Sequence, residues 1–212
     1  MDLVPPKAPS LPIAYDVYAR SQQDQFANVL RLYFNRIDEA FRAILGTEGG
    51  QFFNNPYGAF QSVVDQTAVA NTATVMTFDT VDYANGVSIE SGSKLTVTRA
   101  GIYNLQWSAQ FNNADTQEHD VTVWLRQDGP GAGIDIPGSA GVISVPKVHG
   151  GLDGHIIIGW NYFVSLQADE FVEIWWSTPD ALVSIQHYPA GTSPTRPSTA
   201  SVVATLSFVS KI

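Results

Sequence analysis

The chain has 212 residues, 44% hydrophobic and 11% aromatic, which suits one packed domain with an appendage and is too short for two large independent domains. Lys+Arg number 11 against Asp+Glu 20, a formal charge of −9 with no basic cluster. This argues against nucleic-acid binding and against attraction to anionic membranes, because both need cations to meet phosphates. Cysteine is absent, so disulfides and cysteine-ligated zinc are excluded.

Charged residues make up only 15% of the chain, below the roughly 25% of an average soluble domain. Part of the surface is therefore expected to be hidden in an oligomer, although Thr, Ser, Asn and Gln carry much of the polarity. The N-terminus shows no basic segment followed by an apolar run, so no secretory signal is expected. No run of about 20 apolar residues occurs, so no membrane span is expected.

Residues 1–20 contain Pro5, Pro6, Pro9 and Pro12. Proline removes backbone donors and fixes φ, which predicts an extended arm rather than a helix. Such an arm is either a disordered tail or a docking segment. Leu3, Val4, Leu11, Ile13, Tyr15, Val17 and Tyr18 favour docking, since a solvated tail has little use for them.

Residues 21–46 are predicted to be helical, with Ser21 as N-cap and Gly46 just past the C-terminal end. Phe26, Leu30, Tyr33, Ile37, Ala40 and Ile44 are spaced 4-3-4-3-4, the a/d pattern of a short coiled coil. Val29, Phe34, Phe41 and Leu45 widen the stripe. That width fits a three-helix seam or a helix packed on its own domain. Residues 47–60, rich in Gly, Asn and Pro, are expected to be a hinge.

Residues 61–212 read as β throughout. Tyr103, Leu105, Trp107, Ala109 and Phe111 alternate with polar residues; Val121, Val123 and Leu125 repeat the period of two, as do Val202, Ala204, Leu206 and Phe208. Tyr103, Leu105, Trp107, Phe111, Val123, Leu125, Leu206 and Phe208 are the expected core. Short strands punctuated by Gly, Asn, Asp and Pro predict a sandwich or jelly roll.

The order of the strands supports a closer reading. Met76-Thr-Phe-Asp79, Asn85-Gly86, Lys94–Tyr103 with its Gly101/Tyr103 start, Val121–Gly129, and the hairpin Val164–Ile174 together resemble the TNF-like and complement globular-head superfamily over Ser62–Ile212. The collagen stalk and the membrane anchor of those relatives are absent here, which argues against immune signalling. The arm, the Leu30–Asp38 helix segment and Gly151–Phe163 look like tailed-phage virion proteins, particularly those of cyanophages. The resemblance implies a mainly β protein, a TNF-like jelly-roll sandwich preceded by an extended arm and one α-helix. It also implies a homotrimer located on the virion and assembled in the host cytoplasm. There it serves as a capsid decoration (cement) protein or head fibre, or alternatively as a receptor-binding tail fibre or tail-tip protein. The arm would meet the major capsid protein or another virion protein.

A trimer also has a physical motive. His155–Val164 is apolar on both faces, and the neighbours Trp175 and Trp176 must point oppositely, so some strands need a second covering layer. Trp124, Tyr162, Trp175, Trp176 and Tyr188 are the expected interface aromatics. No catalytic constellation, cofactor or metal site is expected. Ser193, Ser198 and Ser201 lack a nucleophile elbow, and the four histidines lack ligand spacing along one strand. Asp115, Glu118, Asp120 and Asp128 lack a calcium-loop pattern and read as solvated surface, and the His149–Asp153–His155 cluster reads as a polar glycine-rich loop.

Overall fold

In the computed structural model the described residues are 7–13, 17–45, 55–128 and 133–212, and the chain divides into two units, Met1–Asn54 and Asn55–Ile212. In the first, α1 runs Arg20–Leu45. No Gly or Pro interrupts these 26 residues, and the i,i+4 pair Asp38–Arg42 closes at 2.8 Å. The Ala19 carbonyl accepts from Gln22 and Gln23, so Ser21 lies inside the first turn rather than at the cap. Gly46 lies outside the described residues, as do Leu3, Val4 and Tyr15 of the expected docking arm.

The arm's described part turns back along its own helix. Gln22 Nε2 donates to the Ile13 carbonyl, and Lys7, Ala8 and Pro9 border one groove with Val29, Leu32, Tyr33 and Arg36. Leu11, Ile13, Val17 and Tyr18 remain exposed.

The second unit is all β. Its strands are β1 (Tyr57–Ser62), β2 (Gln66–Thr67), β3 (Thr74–Val75), β4 (Thr80–Asn85), β5 (Val87–Glu90), β6 (Lys94–Val97), β7 (Gly101–Asn113) and β8 (His119–Gln127), continuing with β9 (Ile134–Asp135), β10 (Gly141–Val145), β11 (Gly154–Leu166), β12 (Phe171–Ser177), β13 (Val183–Ile185), β14 (Gly191–Thr192), β15 (Thr195–Arg196) and β16 (Val202–Ser210). One antiparallel sheet has the order β2-β13-β7-β16-β1-β4 with β11 on the other edge of β7; the second has β10-β8-β12-β6-β5, with β3 on β12 and β9 on β8. The long strands are thus shared between two sheets of a jelly-roll sandwich, β1, β7, β11 and β16 on one side and β6, β8, β10 and β12 on the other, with the β8–β10 pair the one step that stays within a sheet.

β1 begins inside the stretch predicted to be a hinge. Gly58 and Ala59 of Tyr57-Gly-Ala-Phe have little strand preference, but pairing with β4 along this stretch and with β16 at Ser62 draws it into the sheet and buries Phe60. Gly86, at φ +66°, makes the turn from β4 into β5.

Between the sheets lie Tyr103, Leu105, Trp107, Ala109 and Phe111 of β7, Val202, Ala204 and Leu206 of β16, Val121, Val123 and Leu125 of β8, and Val172, Ile174 and Trp176 of β12. Phe208 is half-buried against this core and meets Tyr103 edge-on at 5.6 Å. The buried amide of Gln66 stands in for a strand, receiving the Thr77 N–H and donating to the Thr77 carbonyl, both at 2.9 Å. Asn113 anchors the β7–β8 connection by donating to the Gln117 and Val145 carbonyls.

One contact leaves no room for change. A Cβ on Gly154 would stand 1.7 Å from the Pro146 carbonyl oxygen, and both partners are backbone. Gly154→Ala is expected to destabilise the sandwich by about 2–3 kcal/mol. A urea titration checks this through a lowered midpoint at unchanged slope.

Candidate functional site: the outward face of the first sheet

β7 and β11 pair over their whole length, from Gly101↔Leu166 to Asn113↔Gly154. Register and pleat therefore assign every side chain to a face. Tyr103, Leu105, Trp107, Ala109 and Phe111 turn inward with Val164, Tyr162, Trp160, Ile158 and Ile156 opposite them. Outward stand Ile102, Asn104, Gln106, Ser108, Gln110 and Asn112, opposite Ser165, Phe163, Asn161, Gly159, Ile157 and His155. β16 adds Val203, Thr205 and Ser207 to the same face.

These outward positions contain no Lys, Arg, Asp or Glu, in a chain whose formal charge is −9. Ile157 (68% exposed), Phe163 (58%) and Val203 (40%) present apolar groups to solvent, and Tyr83 on β4 (71%) extends the patch across Ala59. Amides from Asn104, Gln106, Gln110 and Asn161 fill the spaces between. A neutral surface of apolar and amide groups can close against a copy of itself without bringing like charges together.

The second sheet differs. Asp120, Arg126, Glu173, Lys94 and Glu90 alternate with its core residues. Here Trp124 and Trp175 meet at 6.5 Å, and the Arg126 guanidinium lies 4.1 Å over the Trp175 ring. Asp135 Oδ1 accepts from Arg126 Nε at 2.7 Å and from Trp124 Nε1 at 3.0 Å. The Arg126 hydrogen bond holds the Asp135 carboxyl below its ordinary range. Glu173, buried, accepts from Ser93 Oγ at 2.6 Å and from Trp175 Nε1 at 3.1 Å. The polar ends of both indoles are thus satisfied within the chain.

The five aromatics expected at one interface therefore do not converge. Trp124 and Trp175 belong to the outward face of the second sheet. Trp176, with 0% exposure, is a core residue meeting Phe111 edge-on at 5.5 Å, so it cannot serve an interface. Tyr162 packs inward from β11. Tyr188 lies beside the end of the first sheet, where its hydroxyl donates to Gln186 Oε1 at 2.8 Å and its ring meets His155 edge-on at 5.7 Å. Burial first, and then the Asp153 and Asp65 charges, push the Tyr188 hydroxyl up from its usual value. Tyr188, His155, Gln110, Ile156, Ile157, Arg196 and Thr199 line an open depression at that end.

Ile157, Phe163, Val203 and Tyr83 are what the sequence reading overlooked. The first two lie in the doubly apolar run already noted. Their parity needed the β7–β11 register before an outward direction could be assigned.

On α1 no residue is buried, including Phe26, Leu30, Tyr33, Ile37 and Ile44, and Phe34, Phe41 and Leu45 are openly exposed. Among the described residues the helix thus carries a wide apolar stripe that its own unit covers only in part, where Lys7, Ala8 and Pro9 lie beside Val29, Leu32 and Tyr33. No described helix is long and apolar enough to cross a membrane. Of the acids weighed for calcium, Asp120 takes the Ser144 hydroxyl at 2.6 Å, while Asp115 turns to His119 at 2.7 Å. Asp153 accepts from the Asn112 amide at 3.1 Å. No protein-family model and no curated protein sequence matches this chain.

Proposed function

We propose that this chain is a non-enzymatic, homotrimeric structural protein of a phage particle, a capsid decoration protein or head fibre. The observation that carries the trimer is the outward face of β11, β7 and β16, whose strand positions hold no Lys, Arg, Asp or Glu and expose Ile157, Phe163 and Val203, with Asp153 and Arg196 only at its His155 end. A strongly acidic protein opposes copies of itself at least electrostatic cost where its charges are absent. The helix stripe, with Phe34, Phe41 and Leu45 exposed, supports the same reading, since about three heptads are marginal alone but contribute when the heads already hold three helices together. The assignment to a virion rests on the resemblance of the arm, the helix and Gly151–Phe163 to tailed-phage proteins. In this role the arm engages the major capsid protein or another virion protein. Three weak arm contacts multiply through avidity, and the bound trimer stabilises the shell by mass action.

A receptor-binding tail fibre is the second reading. It is favoured by the depression at His155, Tyr188 and Arg196, whose mix of aromatic, cationic and hydroxyl groups suits a polar host-surface ligand. Electron microscopy of particles carrying the protein separates the two. Decoration places density at three-fold or pseudo-three-fold positions of the capsid, whereas density confined to the tail contradicts it.

A further inference from the structure

Among the described residues, one group brings three metal-capable side chains together: Asp115 from the β7–β8 connection, His119 at the start of β8, and Asp180 from the β12–β13 connection. His119 Nε2 stands 2.7 Å from Asp115 Oδ2 and 3.8 Å from Asp180 Oδ2, and the three atoms lie within 4.8 Å of one another. All three side chains are partly shielded from solvent.

The second oxygen of each carboxylate is already engaged. Asp115 Oδ1 accepts from the Thr116 N–H at 2.6 Å and from the Thr116 hydroxyl at 3.3 Å; Asp180 Oδ1 accepts from the Leu182 N–H at 2.8 Å. These bonds leave both Oδ2 atoms aimed at one imidazole nitrogen. The supporting backbone is anchored too: Asn113 Oδ1 receives the Asp115 N–H at 2.9 Å, the Asp115 carbonyl receives Val148 N–H at 2.9 Å, and the Asp180 N–H reaches Thr178 Oγ1 at 3.3 Å.

We propose that Asp115, His119 and Asp180 form a binding site for a divalent first-row transition ion of the Zn²⁺ class. One imidazole and two carboxylates neutralise a dication, and the nitrogen ligand favours such an ion over Ca²⁺ or Mg²⁺, which prefer all-oxygen shells. Zn–N and Zn–O bonds of about 2.0–2.2 Å place tetrahedral ligands about 3.4 Å apart. The separations of 2.7 and 3.8 Å straddle that value and the third pair lies within 4.8 Å, so movements on the order of 1 Å complete the site. Three protein ligands leave a fourth position for water. The ion would tie two connections, β7–β8 and β12–β13, to the start of β8 at one end of the sandwich. This site is independent of the trimer reading.

Equilibrium dialysis of the full chain against Zn²⁺ near pH 7.5, with parallel melting curves, tests the proposal. One Zn²⁺ per chain is expected. The melting temperature should rise by about 5–10 °C when free metal reaches a hundred times Kd. His119→Gln and Asp180→Asn, each checked for an unchanged far-UV circular dichroism spectrum, should weaken binding at least tenfold, whereas His149→Gln should leave it intact. Ca²⁺ at the same concentration should give no comparable shift. Absence of binding, binding unaltered in His119→Gln and Asp180→Asn, or preference for Ca²⁺ overturns the proposal. In the first two cases His119, Asp115 and Asp180 form a polar contact at the end of the sandwich and nothing more.

Discussion

Trp176→Ala is expected to cost the sandwich about 3–5 kcal/mol, the range for removing a fully buried large aromatic. Its ring lies between the sheets against Phe111, opposite Val123 of β8. Nothing nearby can collapse into the gap without moving one sheet relative to the other. A domain of this size has about 5–15 kcal/mol in total, so the variant should unfold at much lower urea and lose near-ultraviolet dichroism. The neighbouring Trp175→Ala is expected to cost less, about 1–2 kcal/mol, because it forfeits partly exposed contacts with Arg126 and Trp124 and the indole donor to Glu173 rather than core volume. Trp176→Phe should recover most of the loss, since it keeps the ring contact and removes an indole N–H that has no hydrogen-bond partner among the described residues. Equal losses for Trp175→Ala and Trp176→Ala would contradict the assignment of the two faces.

The pair shows what sequence could and could not reveal. Adjacency on a strand required the two tryptophans to oppose each other, and the period of two in β7, β8 and β16 marked Tyr103, Leu105, Val123, Leu125 and Leu206 for one side. Which tryptophan joins that side depends on the β8–β12 register, where Trp176 meets Val123 and Trp175 meets Trp124. Register is a long-range property, and no local pattern encodes it. The same limit hid Ile157 and Phe163 within an apolar run, and it hid Asp180 far along the chain from His119. β1 escaped for another reason. Gly58 and Ala59 have little strand preference of their own, and pairing with Ala84 and Tyr83 of β4 makes them strand. Element type across the β region and the apolar stripe of the helix, by contrast, were legible because periodicity is local.

The second large effect concerns assembly. Ile157→Asp combined with Phe163→Asp places six carboxylates per trimer on the face proposed to close. Each lost side chain removes about 1.5–3 kcal/mol of apolar burial, on the order of 10 kcal/mol per trimer. Like charges then oppose one another across the symmetry axis. The doubly substituted chain is expected to sediment as a monomer at micromolar concentration with its far-ultraviolet dichroism unchanged, because both positions already face solvent in the single chain. Leu30→Asp with Ile37→Asp should weaken the trimer less, since the helices alone supply only about three heptads. If the helix variant dissociates fully while the sheet-face variant stays assembled, the seam and not the sheet face holds the copies together.

The most direct measurement is the mass of the unaltered full chain by sedimentation equilibrium across a range of concentrations. A species of about 69 kDa, three times the chain's 23.0 kDa, is the predicted result. A monomer at every concentration, with Ile157, Phe163 and Val203 left open to water, would contradict the account.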